Sequence, residues 1–146
     1  MKEEHVPFAG EMSGHIFFGD EYFGYDDAIY VAARFARLIS RSSEKVSEKT
    51  ARLPHYFSTP EMRLETKDDP TKFKIASQAE AYFKAHYECL DVDGVRIKFG
   101  DGWGLVRSSN TQPVIVTRFE ARTAERLTEI RDLVLNKLRE FGEFKI

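Results

Sequence analysis

The sequence predicts an α+β fold built on a mainly antiparallel sheet of four to five strands, with one face covered by two helices. Three observations predict this fold: alternating apolar residues mark short strands after Tyr56, tight turns join these strands, and two stretches carry apolar stripes at helical spacing. Strands joined by tight turns pair antiparallel, and each helix has an apolar stripe that must be buried against the sheet. The predicted order from Tyr56 onward is β-α-β-β-β-β-α.

The first strand and helix of this domain follow from local signals. Residues 56–66 predict a strand because apolar and charged side chains alternate, and Pro60 indicates an edge strand or a bulge. Asp69 is predicted as the N-cap of the helix, with Pro70 at its first position. The predicted apolar stripe of this helix consists of Phe73, Ala76, Ala79, Phe83 and Tyr87.

Turn residues define the remaining strands. Asp93–Gly94 predicts a two-residue hairpin, and a second turn is predicted at 100–102. Strands over 103–107 and 114–120 then enclose a polar loop. Thr123 is predicted to cap the last helix. The apolar stripe of that helix consists of Leu127, Ile130, Val134, Leu138 and Phe141.

A separate segment, residues 1–42, precedes a polar linker at 43–54 and the domain at 55–146. This segment is rich in glycine and aromatic residues, and Asp26 and Asp27 are predicted to open a helix there because acidic groups complement a helix N-terminus. The predicted apolar face of the helix consists of Ile29, Ala32, Ala33, Ala36 and Ile39. The opposite side carries arginines that we predict to face solvent or to contact another part of the protein: Arg34, Arg37 and Arg41.

Composition excludes several classes of function. The chain has 146 residues, of which 42% are hydrophobic and 32% charged, so it can bury a core. A net charge of −2 gives no general attraction to nucleic acid or to an anionic membrane. The sequence contains no apolar stretch of membrane-spanning length and no signal segment, so we expect a cytoplasmic protein. Cys89 has no second cysteine to pair with, and its position favours a buried or edge thiol over a reactive one.

A polar cluster at 10–15 reads GEMSGH. Glu11 can accept two hydroxyl protons from a sugar, Ser13 can donate and accept, and His15 can transfer a proton near neutral pH. Glu11 and His15 also have the spacing of a helical metal pair. The flanking glycines argue against a helix and no third ligand lies nearby, so we expect no metal. A plain glycine-rich turn is the alternative reading.

A second polar cluster at 107–113 reads RSSNTQP and lies between two predicted strands. Arg107 offers a planar set of donors that suits phosphate or carboxylate. The short polar side chains that follow it permit a tight turn, whose successive N–H groups can bind an anion. The alternative reading is a hairpin loop made of ordinary turn formers.

These stretches resemble the α-D-phosphohexomutase family, specifically its bacterial phosphomannomutase/phosphoglucomutase branch. The matching segments are GEMSGHIFF at 10–18, FGYDDAIYVAARF at 23–35, STPE at 58–61, DGVRIKF at 93–99 and GWGLVRSSNTQPVIVTRFEA at 102–121. In that family four domains surround a cleft. The resemblance therefore implies that residues 1–42 are the C-terminal remnant of an α/β third domain, and that 55–146 form the complete fourth domain.

The resemblance assigns roles to both clusters. Residues 10–15, called the sugar loop below, correspond to a loop in which Glu11 and Ser13 hold the sugar hydroxyls O3 and O4. His15 corresponds to a substrate contact near the reacting end, with a part in proton transfer. The expected sugar-binding residues are Glu11, Met12, Ser13, Gly14 and His15. A loop that reads O3 and O4 serves both mannose and glucose phosphates, since these sugars differ at C2.

Residues 107–113, called the phosphate loop below, match the family pattern RxSNTxP in full. The resemblance implies that this loop clamps the phosphate that is not being transferred. The expected phosphate-binding residues are Arg107, Ser108, Ser109, Asn110 and Thr111. The expected substrate is a hexose phosphate, namely mannose or glucose 1- or 6-phosphate, interconverted through a bisphosphorylated intermediate.

Two family loops are absent from the sequence: a serine loop of the type TxSHNP and a Mg²⁺ loop of the type DGDxDR. The stretch DVDG at 91–94 is predicted to be a hairpin and not a substitute for the Mg²⁺ loop. We therefore expect the chain to be the C-terminal part of a longer enzyme, inactive by itself. Its partners would be the N-terminal domains of the same polypeptide, with Mg²⁺ bound outside this chain, and neither nucleic acid nor membrane.

Two alternatives belong to other classes of function. The first is a stand-alone, non-enzymatic module that binds sugar phosphates. The second is that exposed apolar surface on residues 1–40 forms a dimer or a disordered arm, because aromatic side chains of a partial domain lack burial partners.

Overall fold

The computed structural model describes residue 1, residues 5–11 and residues 13–146. These residues divide into two units, Met1–Leu53 and Pro54–Ile146. Throughout the part of the chain that the structure describes, no helix is both long and apolar enough to cross a bilayer.

The first unit contains a short hairpin and two helices. Strands β1 (Phe8–Gly10) and β2 (Ile16–Phe18) pair antiparallel, and they precede helices α1 (Ala28–Ser40) and α2 (Val46–Thr50). Asp27 is the N-cap of α1, since its carboxylate accepts hydrogen bonds from the N–H groups of Ile29 and Tyr30, both at 3.0 Å. The predicted helix start is confirmed for Asp27, whereas Asp26 has a different role that is described below.

The predicted apolar face of α1 is largely exposed. Ile29 is 85% exposed, and the alanines of the predicted stripe are exposed as well. The helix instead turns Arg34 toward the hairpin, where the guanidinium lies 4.4 Å from the ring centre of Phe18 and pairs with Asp20 and Glu21. The aromatic ring and two carboxylates satisfy the arginine, while the described part of this unit offers the apolar stripe no covering element. The predicted arginine contact with another segment is confirmed for Arg34.

The second unit has the predicted α+β architecture. Its elements are β3 (Phe57–Ser58), β4 (Met62–Glu65), α3 (Asp69–His86), β5 (Cys89–Leu90), β6 (Val95–Lys98), β7 (Gly102–Ser108), β8 (Val114–Ala121) and α4 (Ala124–Phe141). The strand order is β3-β8-β7-β6-β5, with β4 also pairing with β8, and every pairing is antiparallel. The mainly antiparallel sheet and its two helices confirm the predicted fold.

The predicted first strand is broken in two at Pro60, so the sheet contains six strand segments. β3 and β4 both lie along β8, on either side of the proline. Proline has no N–H to continue the ladder. The neighbouring Thr59 bridges the break: its N–H donates to the Phe119 carbonyl at 3.0 Å, and its hydroxyl accepts from the Phe119 N–H at 3.1 Å.

Helices α3 and α4 pack against each other and against the sheet. Thr123 caps α4 as predicted, accepting from the Arg126 N–H at 3.1 Å. The predicted stripe of α4 is confirmed, with Ile130, Val134 and Leu138 fully buried. The core they share with the sheet consists of Leu64, Ile75, Ala79, Phe83, Val95, Ile97, Val106, Ile115, Phe119, Ala121, Ile130, Val134, Leu135 and Leu138.

The predicted N-cap of α3 and the first two residues of its predicted stripe, Phe73 and Ala76, were each wrong by one residue. The N-cap is Asp68, whose carboxylate accepts from the Thr71 N–H at 2.9 Å, and not Asp69. Phe73 is 53% exposed and Tyr87 lies beyond the end of the helix. The buried face consists of Lys72, Ile75, Ala79 and Phe83. This face begins at a lysine because its amine finds partners inside the unit.

Cys89 lies on β5, which forms one edge of the sheet, and is half-buried. Burial raises the pKa of its thiol above the usual value, which disfavours the reactive thiolate. The predicted buried or edge thiol is confirmed.

Candidate functional site

The sugar loop joins β1 to β2 in the first unit. Its backbone closes on itself: the Glu11 N–H donates to the His15 carbonyl at 2.8 Å, and the Gly14 N–H donates to the Glu11 carbonyl at 3.0 Å. Gly14 has φ 92°, a left-handed conformation that favours glycine. The loop is therefore a hairpin turn, as the flanking glycines indicated, and Glu11 and His15 do not occupy successive turns of a helix.

Two polar contacts organise the side chains of this loop. The Ser13 hydroxyl donates to the Glu11 carboxylate at 3.1 Å, and both groups are exposed. His15 Nδ1 lies 2.6 Å from a carboxylate oxygen of Asp26. Met12, the remaining predicted sugar-binding side chain, lies outside the described residues.

Asp26, which was predicted to open the helix, instead lies beside the sugar loop. A backbone bridge between Phe17 and Asp26 brings this aspartate alongside β2, next to His15. Because Asp26 engages Nδ1, Nε2 is the ring nitrogen of His15 left to meet a ligand. A hint was present in the doubled aspartate, since a helix needs one N-cap and the second carboxylate is free for another partner.

The phosphate loop joins β7 to β8 in the second unit. Arg107 and Ser108 are the last residues of β7 and pair with Val116 and Ile115 of β8. Beyond the ladder, the Ser109 N–H donates to the Val114 carbonyl at 2.9 Å. The turn itself is made by the remaining members of the motif, of which Asn110 and Thr111 are exposed. The predicted phosphate-binding residues thus lie together at one end of the two longest strands.

Arg107 is held by the hairpin between β5 and β6. Its Nη1 donates to the Asp93 carboxylate at 2.9 Å. Gly94, with φ 75°, packs so closely that an added Cβ would lie 2.7 Å from the Arg107 Cα and would also clash with the Val106 carbonyl. The predicted Asp93–Gly94 turn therefore has a second role, because it positions the arginine of the neighbouring strand.

Lys72 contacts the phosphate loop, although sequence periodicity gave no signal for it. Its side chain is 2% exposed, and its Nζ donates to the carbonyls of Ser109 at 2.8 Å and Gln112 at 3.0 Å. A third bond at 2.8 Å reaches the carboxylate of Asp69, one turn away on the same helix. Helix α3 therefore holds the loop through the buried amine of Lys72.

The chain matches two models of one protein family. Residues 61–137 match the phosphoglucomutase/phosphomannomutase C-terminal domain, and residues 1–57 match the alpha/beta/alpha domain III of the same enzymes. Together these matches cover both the sugar loop and the phosphate loop.

Individual relatives agree with the family models. A phosphomannomutase/phosphoglucomutase of Pseudomonas aeruginosa is 43% identical over 141 residues, which are 95% of this chain and 30% of that protein. A phosphoglucomutase of Neisseria gonorrhoeae is 39% identical over 134 residues, 90% of this chain and 29% of that protein.

A crystal structure of a phosphoglucomutase/phosphomannomutase family protein from Burkholderia thailandensis matches with a TM-score of 0.79 and 35% identity. It covers 99% of this chain, which in turn covers 31% of that structure. The chain spans about 30% of the length of the curated relatives it matches. It belongs to the phosphoglucomutase/phosphomannomutase family.

Proposed function

We propose that this chain is the C-terminal part of an enzyme that interconverts the 1- and 6-phosphates of glucose or mannose through a bisphosphorylated intermediate. The family models and the relatives' names support a sugar-phosphate mutase. The observation that carries the proposal is the phosphate loop, which joins Arg107 at the end of β7 to exposed Asn110 and Thr111, and whose backbone Lys72 holds. These groups suit a phosphate that is held and not transferred.

The phosphate loop supplies a positive charge and several hydrogen-bond donors that can orient a bound phosphate. Arg107 has five N–H donors, and the bond to Asp93 from Nη1 leaves others for a phosphate oxygen. Asn110 and Thr111 add neutral donors at the exposed turn. In phosphoryl transfer, catalysis depends mainly on positioning and on charge stabilisation. A clamp on the distant phosphate therefore contributes by fixing where the reacting end of the sugar lies.

The sugar loop supplies hydrogen bonds to hydroxyl groups. The carboxylate of Glu11 accepts a hydrogen bond from Ser13, and a sugar hydroxyl can take the place of that serine donor. Because one loop would read O3 and O4 in both orientations of the substrate, it can serve both steps of the reaction. His15, oriented by Asp26, would contact the substrate through Nε2 and carry a proton at that atom.

Mg²⁺ would be bound by other domains of the full-length enzyme. Within the described residues, no group of three or more histidine, cysteine or acidic side chains is placed to hold a metal ion. The acidic hairpin at 91–94 does not fit the role either, since Asp91 pairs with Lys84 and Asp93 pairs with Arg107. We therefore expect the Mg²⁺ site and the phosphoserine to lie in other domains of the full-length enzyme, and we expect no turnover of glucose 1-phosphate by the chain alone.

An NMR titration of the 146-residue chain with inorganic phosphate tests the clamp. We expect the amide signals of residues 107–111 to shift on titration, and Arg107→Ala to abolish the shift because it removes the charged donor. Arg122→Ala, an exposed arginine of the same unit outside the loop, is the matched control and should leave the titration unchanged. Loop amides that stay fixed at saturating phosphate, or an Arg107→Ala titration like that of the wild type, would contradict the proposal.

A further inference from the structure

Lys72 is buried where a helix normally places an apolar residue. Its side chain is 2% exposed, and it begins the same helix face that carries Ile75, Ala79 and Phe83 into the core. Lysine is almost never fully buried unless its charge and its donors are satisfied. Packing alone is better served at this position by methionine or leucine, so the amine group itself must have a function.

The contacts of the amine point to the phosphate loop. A protonated lysine has three N–H donors, and Nζ of Lys72 has three acceptors: Ser109 O at 2.8 Å, Gln112 O at 3.0 Å and an Asp69 carboxylate oxygen at 2.8 Å. The ring of Phe73 lies 4.4 Å from Nζ and adds a cation–π contact. Two of the three hydrogen bonds are therefore made to backbone carbonyls of the loop.

Holding the Ser109 carbonyl fixes the direction of the next N–H. A peptide unit is planar and trans, so the N–H of Asn110 points opposite to the carbonyl of Ser109. That carbonyl faces Lys72, and the Asn110 N–H is therefore directed away from it. Among the described residues this N–H has no hydrogen-bond acceptor. An outward N–H in a tight turn is the kind of donor that binds an anion.

We propose that Lys72 is a positioning residue for the phosphate loop. It holds the Ser109–Gln112 turn in a conformation that presents the Asn110 N–H to a phosphate oxygen before the ligand arrives. Such preorganisation raises affinity because less ordering remains to be done on binding. The inference rests on the proposed phosphate clamp and extends it to a residue that does not itself touch the ligand.

The test compares two lysines on the same helix. Lys72→Met keeps an unbranched side chain that is one atom shorter and removes the donors, while Lys74→Met makes the same change at an exposed position of α3. We expect Lys72→Met to shift the ligand-free amide signals of 109–112 and to weaken binding of inorganic phosphate by about tenfold or more. Lys74→Met should change neither. Denaturant titrations confirm that each variant is folded at the temperature of the binding experiment.

The outcomes separate this inference from the proposed function. If the wild-type chain binds phosphate and folded Lys72→Met binds it equally well, the positioning role is overturned and the clamp stands. If the wild-type loop amides do not respond to phosphate, the clamp is overturned, and the positioning role with it. Should Lys72→Met fail to fold, Asp69→Asn decides, since Asp69 is 60% exposed and removing its charge loosens Lys72. Unchanged loop amides and unchanged affinity in Asp69→Asn would then overturn the inference.

Discussion

The two loops differ in what lies beneath them. The phosphate loop ends the longest strands of the molecule, β7 with 7 residues and β8 with 8, and Lys72 anchors it from the buried face of α3. The sugar loop ends two strands of 3 residues each. Among the described residues up to Leu53, none is buried. Similar polar sequences therefore have very different structural support in this chain.

A motif specifies chemistry, while the core beneath it specifies geometry. In the first unit, contacts between exposed groups such as Ser13 and Glu11 hold the loop, and water competes for each of them. In the second unit, backbone carbonyls of the loop meet a buried amine, and water is excluded from that contact. We therefore expect the phosphate loop to keep its shape in the isolated chain more firmly than the sugar loop.

The largest expected effect comes from removing a phenylalanine in each unit. Phe83 is fully buried and Phe23 is 78% exposed. Phe83→Ala should destabilise the second unit by about 3–5 kcal/mol, because it leaves a cavity in the core. Phe23→Ala should change the stability of its unit by less than about 0.5 kcal/mol. Denaturant unfolding, followed by amide signals of each unit and by the fluorescence of Trp103, measures both effects. Equal losses would remove the basis of the comparison.

A pair of glycines tests how the second unit positions Arg107. Gly94 and Gly100 have φ values of 75° and 80°, so alanine at either position is strained by about 1 kcal/mol. Only at Gly94 does the added Cβ also meet the backbone of Arg107. We expect Gly94→Ala to cost about 2–3 kcal/mol and to weaken the phosphate response, while Gly100→Ala costs about 1 kcal/mol and leaves the response intact. A phosphate response that is the same in both variants would contradict the positioning role of this turn.

A smaller effect is expected from the carboxylate beside Arg107. Asp93→Asn should change stability by less than about 0.5 kcal/mol, since the pair is exposed. Phosphate affinity should rise by about two- to fivefold at low salt, because the guanidinium no longer shares its charge with a second anion. Asp101→Asn, which instead breaks the pair with Arg126, is the control and should leave affinity unchanged. Weaker phosphate binding in Asp93→Asn would mean that Asp93 orients Arg107 more than it competes for it.

Local signals were enough to predict most of the fold. Thr123 was identified as a cap and Asp27 as part of a helix start because both signals depend on residues within a few positions, and the stripe of α4 was identified because its period is regular. At Pro60 the prediction was wrong in one respect, because a single edge strand was expected and the structure has two, β3 and β4. These predictions succeeded because the interactions that decide them are short in sequence.

The contacts that hold the phosphate loop were not predictable, because they join residues that are distant in the sequence. Lys72 lies 37 residues from Ser109 and 40 from Gln112, and only the packing of α3 under the sheet brings them together. Arg107 and Asp93 meet only because β6 and β7 are neighbours. Periodicity therefore predicted Phe73 as the first buried residue of α3. The helix buries Lys72 instead, because the lysine amine has hydrogen-bond acceptors inside the unit.

The smallest effect that we predict concerns two helices with the same kind of cap. Asp27 caps α1 and Asp68 caps α3. Hydrogen bonds, chiefly from the Tyr22 hydroxyl to Asp27 and from the Thr71 hydroxyl to Asp68, hold the pKa of each carboxylate below its usual value of 3.8. The charged cap thus stabilises each helix above that value, and this contribution is lost as the pH falls through the lowered pKa.

Acidification should therefore separate the two units. When Asp27 is protonated, α1 loses its cap with no buried residue to hold it, so its first turn should fray. When Asp68 is protonated, the buried face of α3 still fixes the helix, so its first turn should persist. Cα chemical shifts of residues 28–31 and 69–72, followed from pH 7 to about pH 2.5, measure both turns over the range in which aspartates titrate. Fraying of both first turns, or of neither, would show that the core is not what distinguishes the two units.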